Sequence, residues 1–356
     1  MKVAVLGTGN VGIAIAADLS IKGHEVTLVK TSDTPSKAYA RLQANSNRVF
    51  LKENGDYIRT TIHTLTNDLS VIKVAEVIFV TIQSTYHKDL MERMKPYLNS
   101  EQVVVVICSY MSSFYLANNC LSIPMIAETT GPYLEGRVEL EDKPGEVVFR
   151  VGCRLTNSPL SIYHKNREEE CMKILKSLYG GFNSCYSTIE SAMLNPNMVL
   201  HTVGAIMSIP RIEYSKGNFC MYREAYARGN DATLNIMLAL DEEKKAVLKA
   251  LGGRPIDIME AGGFLKGKES FYEYSESADR AISPTSVRSR YITEDVSQGL
   301  VLLESIAERI GIPHFITTAL IDIAIVALDE DLRTNGRTIH KLEAVNYINY
   351  LKETNG

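Results

Sequence analysis

Gly7, Gly9 and Gly12 constrain this chain more than any other residues. They follow an apolar run, Val3-Ala4-Val5-Leu6, in the pattern G-x-G-x-x-G, Gly7-Thr8-Gly9-Asn10-Val11-Gly12. Ile13, Ile15, Ala16 and Leu19 then recur with helical spacing, Gly23-His24 ends them, and a second apolar run, Val26-Thr27-Leu28-Val29, follows. Three glycines in six residues are common by chance. Strand, glycine turn, helix and strand in one βαβ unit are what a dinucleotide site needs. The first glycine permits the tight turn, the second lets the backbone approach a pyrophosphate, and the third lets helix and strand pack closely. The pyrophosphate then sits at the positive end of a helix. Gly7, Gly9, Asn10, Val11 and Gly12 are therefore expected to hold a dinucleotide.

The end of the second strand separates NAD from NADP. An acidic residue there bonds the ribose hydroxyls. Here Val29 is followed by Lys30, Thr31 and Ser32, with Asp33 only later. A cation and two hydroxyls suit a 2′-phosphate better than a diol. Lys30, Thr31 and Ser32 are thus expected to favour NADP, with NAD left open because Asp33 is within reach of a ribose.

The 356 residues suffice for two domains. Val77-Ile78-Phe79-Val80-Thr81, the run 103–108 and the run 125–128 are near-continuous apolar stretches, which suit strands of a parallel sheet buried on both faces. The run 147–152 is expected to continue that sheet. Residues 49–66 read as short extended segments around the turn Asn54-Gly55. Ligands of such sheets bind beyond the carboxyl ends of the strands. His87 is accordingly read either as a cleft residue or as an exposed residue at a helix start. Beyond Thr188 the strand-like runs give way to long helical patterns over 189–209, 223–229, 231–251, 293–310 and 313–331. The expected fold is α/β. A Rossmann domain over 1–187, built on a doubly wound parallel sheet, precedes an all-α domain over 188–356, and the ligand cleft is expected between them.

Several classes of function are disfavoured. A net charge of −4 supplies no basic field for nucleic acid. No apolar run reaches the roughly 20 residues of a membrane span; Asp322 interrupts the best candidate, and the glycine turn interrupts the apolar start of the chain as a secretion signal. The six cysteines are scattered without metal-ligand spacing, which fits a reduced, cytoplasmic protein with no metal site. The apolar run 313–328 is read as core or as a homodimer face.

The chemistry concentrates in two places. Asn197 and His201 are four apart and share one helix face. Arg288 to Val296 ends in Thr293-Glu294-Asp295-Val296; Thr293 is expected to cap the next helix, and Asp295 stands where it could orient an imidazole. A histidine in an apolar helix is equally a satisfied core residue. Held by a carboxylate, it becomes a general acid beside a carbonyl or iminium, its protonated form favoured.

These residues carry a resemblance. The glycine loop, Ala127-Glu128-Thr129-Thr130-Gly131-Pro132-Tyr133, Asn195-Pro196-Asn197 through His201, and Arg290-Tyr291-Ile292-Thr293-Glu294-Asp295-Val296 with Gly299-Leu300-Val301 beyond it recur together. Over nearly its whole length the chain resembles the opine dehydrogenase family, which includes octopine and nopaline dehydrogenases. The resemblance implies that His201 and Asp295 are the catalytic pair and that Asn197 binds substrate. It implies a reductive coupling in which the α-amine of an amino acid condenses with an α-keto acid such as pyruvate and the C=N bond takes a hydride from NAD(P)H. Two carboxylates must then be held, and guanidinium grips carboxylate bidentately. Arg290 is taken as substrate-binding, with Arg288, Arg211 and Arg223 as further candidates. Two other readings stay open: a 2-keto acid/2-hydroxy acid dehydrogenase acting without an amine, and a non-catalytic NADP-binding regulator.

Overall fold

The computed structural model describes residues 1–140, 146–185, 187–278 and 283–355. The chain divides into two compact units, Met1–Ser191 and Ala192–Gly356.

In the first unit β1 (Lys2–Leu6), β2 (Glu25–Val29), β3 (Arg48–Glu53), β4 (Asp56–Thr61), β5 (Thr64–Thr66), β6 (Val77–Val80), β7 (Val103–Ile107), β8 (Met125–Thr129), β9 (Leu134–Leu140), β10 (Val147–Arg154), β11 (Ser158–Ile162) and β12 (Phe182–Ser184) form two sheets. The helices are α1 (Asn10–Ile21), α2 (Lys37–Ala44), α3 (His87–Met94), α4 (Ser113–Ala117) and α5 (Glu168–Leu178). The larger sheet has eight strands in the order β12-β11-β8-β7-β6-β1-β2-β5. β1 lies between β2 and β6, Val3 pairing with Val26 on one side and Val77 on the other. The winding reverses there, which is where such sheets open a crevice for ligands. The valine-rich strands β6 and β7 are wholly buried.

The sheet departs in one respect from the expected parallel form. β11 runs antiparallel to β8, with Leu160 opposite Thr129. A parallel neighbour needs a crossover of about a dozen residues, usually a helix. Between β8 and β11 the described residues supply two strands and no helix. The crossover through α5 then restores parallel pairing between β11 and β12.

The run 147–152 does not continue this sheet. It lies in β10, inside a separate four-stranded sheet ordered β4-β3-β10-β9. Only Val147, Val148 and Phe149 of β10 are buried. The remaining Arg150-Val151-Gly152-Cys153-Arg154 is too polar for a strand covered on both faces. The Asn54-Gly55 turn closes the β3–β4 hairpin, pairing Glu53 with Asp56. Both turn residues have positive φ, 51° and 93°, as a two-residue hairpin of this kind requires.

Helix α1 joins the two sheets. Buried Asp18 accepts from Lys22 Nζ at 2.8 Å, Arg154 Nη1 at 2.7 Å and Tyr133 Oη at 3.0 Å. Arg154 also grips Glu53 of β3 with two bonds of 3.0 and 2.9 Å. Tyr133 stacks on Tyr179 with centroids 4.2 Å apart. At the other end of the helix, the side-chain oxygen of Asn10 accepts from the Val138 amide of β9 at 2.9 Å.

The second unit has no strand among its described residues. Its elements are α6 (Thr188–Met193), which begins within the first unit, α7 (Asn197–Met207), α8 (Ile209–Ser215), α9 (Met221–Tyr226), α10 (Asp231–Ala250), α11 (Ile258–Ala261), α12 (Lys268–Ser277), α13 (Arg290–Thr293), a π-helical turn Asp295–Leu300, α14 (Val301–Ile310) and α15 (Phe315–Leu328), followed by two further helices, Leu332–Asn335 and Val345–Asn355. The pattern over 189–209 is thus two helices, because Pro196 cannot continue α6 and restricts Asn195 before it. That over 293–310 is likewise interrupted by the π turn. α15 buries Leu320, Ile321, Ala324 and Leu328 and leaves Phe315 and Val326 exposed. No helix among the described residues is long and apolar enough to cross a membrane.

Removing one partner of a buried ion pair costs about 3–5 kcal/mol. Arg154 is partly exposed and keeps Glu53, so Asp18→Asn should destabilise the first unit by somewhat less, about 2–3 kcal/mol. Urea unfolding should show the lowered midpoint; an unchanged midpoint would mean that Asp18 does not hold the sheets together.

Candidate active site

The glycine turn is built by close backbone approach. Gly7 has φ +120°, and its amide bonds the Val29 carbonyl at 2.9 Å. A Cβ on Gly12 would lie 1.9 Å from the Gly7 carbonyl oxygen and 2.8 Å from Thr81 Oγ1. Gly9 differs, since nothing stands within 4 Å of a Cβ built there. Gly9 precedes α1 as its cap, no side chain bonds the helix start, and the first turn carries no acidic residue. Bare helix amides beside open space fit a pyrophosphate. Gly7 and Gly12 therefore serve the fold, and Gly9 leaves room for a ligand. Val11 packs partly buried against the core of this unit, and the Asn10 oxygen is held by β9.

Cations gather at the end of β2. The Lys30 amide bonds the Thr66 carbonyl at 2.8 Å, and its Nζ donates to the Ser32 carbonyl. Arg93 of α3 reaches the Thr31 carbonyl at 3.4 Å. Beside them lies a depression of about 620 Å³ lined by Lys30, Ser36, Lys37, Tyr39, Gln43 and Thr66, among others. Ser36 caps α2, accepting from the Tyr39 amide at 3.3 Å. Lys37, directly after that cap, is a second cation lining the depression and is not singled out in the sequence reading. The signal for it was there, a serine cap followed at once by a lysine.

In the second unit, α7 starts after Pro196, with the Asn195 side chain accepting the Asn197 amide at 3.1 Å. Residues 198–206 of this helix are all buried. His201 and Asp295 are 4% and 2% exposed, and His201 Nδ1 lies 2.9 Å from Asp295 Oδ2. Two residues 94 positions apart in the chain thus meet as expected. Asn197 is one turn before His201 on the same helix. Asp295 opens the π-helical turn, a geometry often found at functional sites. A carboxylate at Nδ1 favours a proton on that nitrogen.

Tyr291 is one turn before Asp295 and stacks on the imidazole, centroids 3.8 Å apart and planes 7° from parallel. The i, i+4 spacing of Tyr291 and Asp295, the same as that of Asn197 and His201, was its unread signal. Arg290 is half exposed, 5.9 Å from the Tyr291 centroid and 3.8 Å from Glu294 Oε2. The other three candidate arginines bond away from the His201–Asp295 pair. Arg288 pairs with Glu330 at 2.9 Å and with the Leu328 carbonyl. Arg211 grips Glu224 at 2.8 and 3.0 Å, and Arg223 donates to the carbonyls of Glu276 and Ala278, both at 3.2 Å.

Two local expectations are corrected. The Thr293 hydroxyl donates back to the Ser289 carbonyl at 3.1 Å, so it does not cap the following helix. His87 is not an exposed residue at a helix start. Its ring is fully buried, Nδ1 lying 2.7 Å from Ser112 Oγ and Nε2 lying 3.1 Å from the Ile82 carbonyl. Nearby, buried Glu128 accepts from Ser109 Oγ at 2.6 Å and the Ser113 amide at 2.5 Å. These bonds brace the turn after β7, where Cys108, Tyr110 and Met111 all have positive φ.

Known proteins resemble both units of the chain. The family model described as "NAD/NADP octopine/nopaline dehydrogenase, alpha-helical domain" matches residues 184–328. "NAD-dependent glycerol-3-phosphate dehydrogenase N-terminus" matches residues 2–111. An opine dehydrogenase of Arthrobacter sp. is 24% identical over 95% of this chain and 94% of its own length. A vitopine synthase of Allorhizobium ampelinum is 26% identical over 95% and 94%. An octopine dehydrogenase structure with NADH and pyruvate superposes at a TM-score of 0.76 and 16% identity, covering 99% of this chain and 98% of the other. At that identity the structural match is one of fold.

Gly9→Ala should fold normally and lose about tenfold or more in NADP(H) affinity, a change of about 1.4 kcal/mol. Gly12→Ala should fail to fold or melt far lower, because backbone cannot yield to a methyl. Fluorescence titration and melting curves on both variants check this; equal behaviour would overturn the division of roles. Charge-assisted hydrogen bonds are worth about 1.5–3 kcal/mol. Lys30→Ala and Lys37→Ala should therefore each reduce the NADPH over NADH preference in kcat/KM by about tenfold. A wild type that uses NADH as well as NADPH would refute the 2′-phosphate reading.

Proposed function

The chain belongs to the opine dehydrogenase family, and on that premise we propose how its residues condense an amino acid with an α-keto acid and reduce the product with NAD(P)H. The observation that carries the reading is the buried hydrogen bond between His201 Nδ1 and Asp295. The enzyme is an oxidoreductase acting on the CH–NH group of donors, and the reverse reaction cleaves the N-(carboxyalkyl) amino acid oxidatively.

The first unit is a NAD(P)-binding domain. Gly9 and the start of α1 would hold the pyrophosphate, with Asn10 and Val11 at the first helical turn. Lys30, Thr31 and Ser32, joined by Lys37, would take the ribose end, and two lysines in one depression favour NADP. When bound, the dinucleotide supplies the hydride that reduces the C=N carbon.

His201 does the proton work. Its Nε2–H holds the keto oxygen and draws electron density from the carbonyl carbon as the amine attacks. The C–N bond forms as the C=O π electrons move to oxygen, a proton passes from the amine nitrogen to that oxygen, and a carbinolamine results. Nε2 then gives its proton to the hydroxyl as the C–O bond breaks, releasing water and leaving the iminium. Asp295 keeps the ring oriented and its cation stabilised throughout. Arg290 and Asn197 hold the substrate carboxylates. In the oxidative direction the neutral ring takes a proton from the water that adds to the iminium. The scattered cysteines support a cytoplasmic site of action, and the exposed residues of α15 support a homodimer contact.

An NADPH-oxidation screen over amino acids and keto acids tests the reading. Turnover should require both partners. Consumption with keto acid alone would identify a 2-keto acid reductase, and binding without any consumption a regulator. His201→Ala should lower kcat by about two to four powers of ten, the span of general acid catalysis. Asp295→Asn should also lower it, and the double variant should be scarcely worse than His201→Ala, since Asp295 acts through the histidine. Dinucleotide affinity should barely change. A lowered melting temperature with near-normal kcat per folded molecule would remove His201 from the chemistry.

A further inference from the structure

The Tyr291 ring covers a face of the His201 imidazole, whose Nδ1 edge is bonded to Asp295. Its centroid lies 3.8 Å from that of the imidazole and the planes differ by 7°. Neutral aromatic pairs favour offset or edge-on arrangements at centroid separations of about 4.5–7 Å. A close, nearly parallel pair suits a ring that carries positive charge, because a cation is attracted to the π face. Asp295 contacts the ring edge and Tyr291 its face, and the two are presented by one stretch of backbone at i, i+4. Only four residues of α-helix precede the π-helical turn that begins at Asp295, so the face contact and the edge contact move as one piece.

We propose that Tyr291 is a positioning residue of the His201–Asp295 pair: stacked on the imidazole, it holds the ring plane and stabilises the protonated ring, so that Nε2 presents its proton in a single direction. The proposal rests on the general-acid reading of His201. The stack itself is independent of that reading and is separately measurable. The phenol hydroxyl is not required, since the π face does the work.

The test uses the full chain with Tyr291→Phe, Tyr291→Met and Tyr291→Leu. Phenylalanine keeps the ring, whereas methionine keeps bulk without a ring and gives a second ring-less variant should the leucine variant misfold. The phenylalanine variant should retain kcat within about twofold. The ring-less variants should lose about five- to thirtyfold in kcat, the worth of a desolvated cation–π contact. KM for the keto acid and dinucleotide Kd should stay within about threefold. In parallel, ring-labelled histidine NMR should show the His201 ring protons shifted upfield by the tyrosine ring current in the wild type and the phenylalanine variant. That shift should vanish in the methionine and leucine variants, with His201→Ala assigning the signal. Loss of activity in Tyr291→Phe equal to that in Tyr291→Met would overturn the proposal, as would unchanged kcat or unchanged His201 shifts in the ring-less variants. If the wild type turns over no amine and keto acid pair, the proposed function fails while the ring-current shifts still decide whether Tyr291 holds the ring.

Discussion

The approach of α1 to the end of β1 is the constraint on which the first unit depends. Only hydrogen fits between the Gly12 backbone and the Gly7 carbonyl, where a methyl carbon would sit at 1.9 Å. What glycine contributes there is absent volume more than flexibility. That contact fixes the helix axis, and with it the direction of the helix-start amides that no side chain caps. The same axis carries Asp18 to Arg154 and Tyr133, so the second sheet is hung on that helix. Burying Asp18 without Arg154, Lys22 and Tyr133 would be costly, and with them it becomes a junction.

The second unit solves a different problem. A carboxylate and an imidazole are kept almost wholly out of water inside an apolar helix packing. A low local dielectric strengthens their mutual bond and penalises either group alone. The arrangement is made from two short spacings: Asn197 to His201 along α7, and Tyr291 to Asp295 along α13 and the π turn. Each is legible as one face of a helix, but their meeting is a long-range event.

Much of this was legible in the residues. The glycine turn, the valine-rich strands and the Asn54-Gly55 hairpin are set by local steric rules that a sequence displays directly. The pairing of His201 with Asp295 was legible through resemblance and not through spacing alone, since 94 residues separate them. What stayed hidden has a common cause. The placement of β10 in a second sheet, the burial of His87 against Ser112, and the convergence of Lys37 with Lys30 are partner choices made across the chain. The burial of β10 over Val147–Phe149 alone, followed by polar residues, was the sign that it could not be a fully covered strand. Pro196 was visible as a breaker, yet the helical pattern on either side of it masked the break. Tyr291 stands inside one of the segments that carry the resemblance, but an aromatic residue beside a charged run reads first as packing.

The bond between Asn10 and the Val138 amide sets the evolutionary tolerance of the second sheet. Its donor is main chain, so the bond does not depend on which side chain stands at position 138, and an exposed residue of β9 such as Arg137 can change, whereas Gly136 cannot, since a Cβ there would lie 2.1 Å from the Arg150 carbonyl oxygen. Insertions and deletions are not tolerated. Displacing β9 by one residue turns the donor away and flips the strand's faces. Lineages of this fold should therefore conserve the length of β9 more strictly than the letters at its exposed positions.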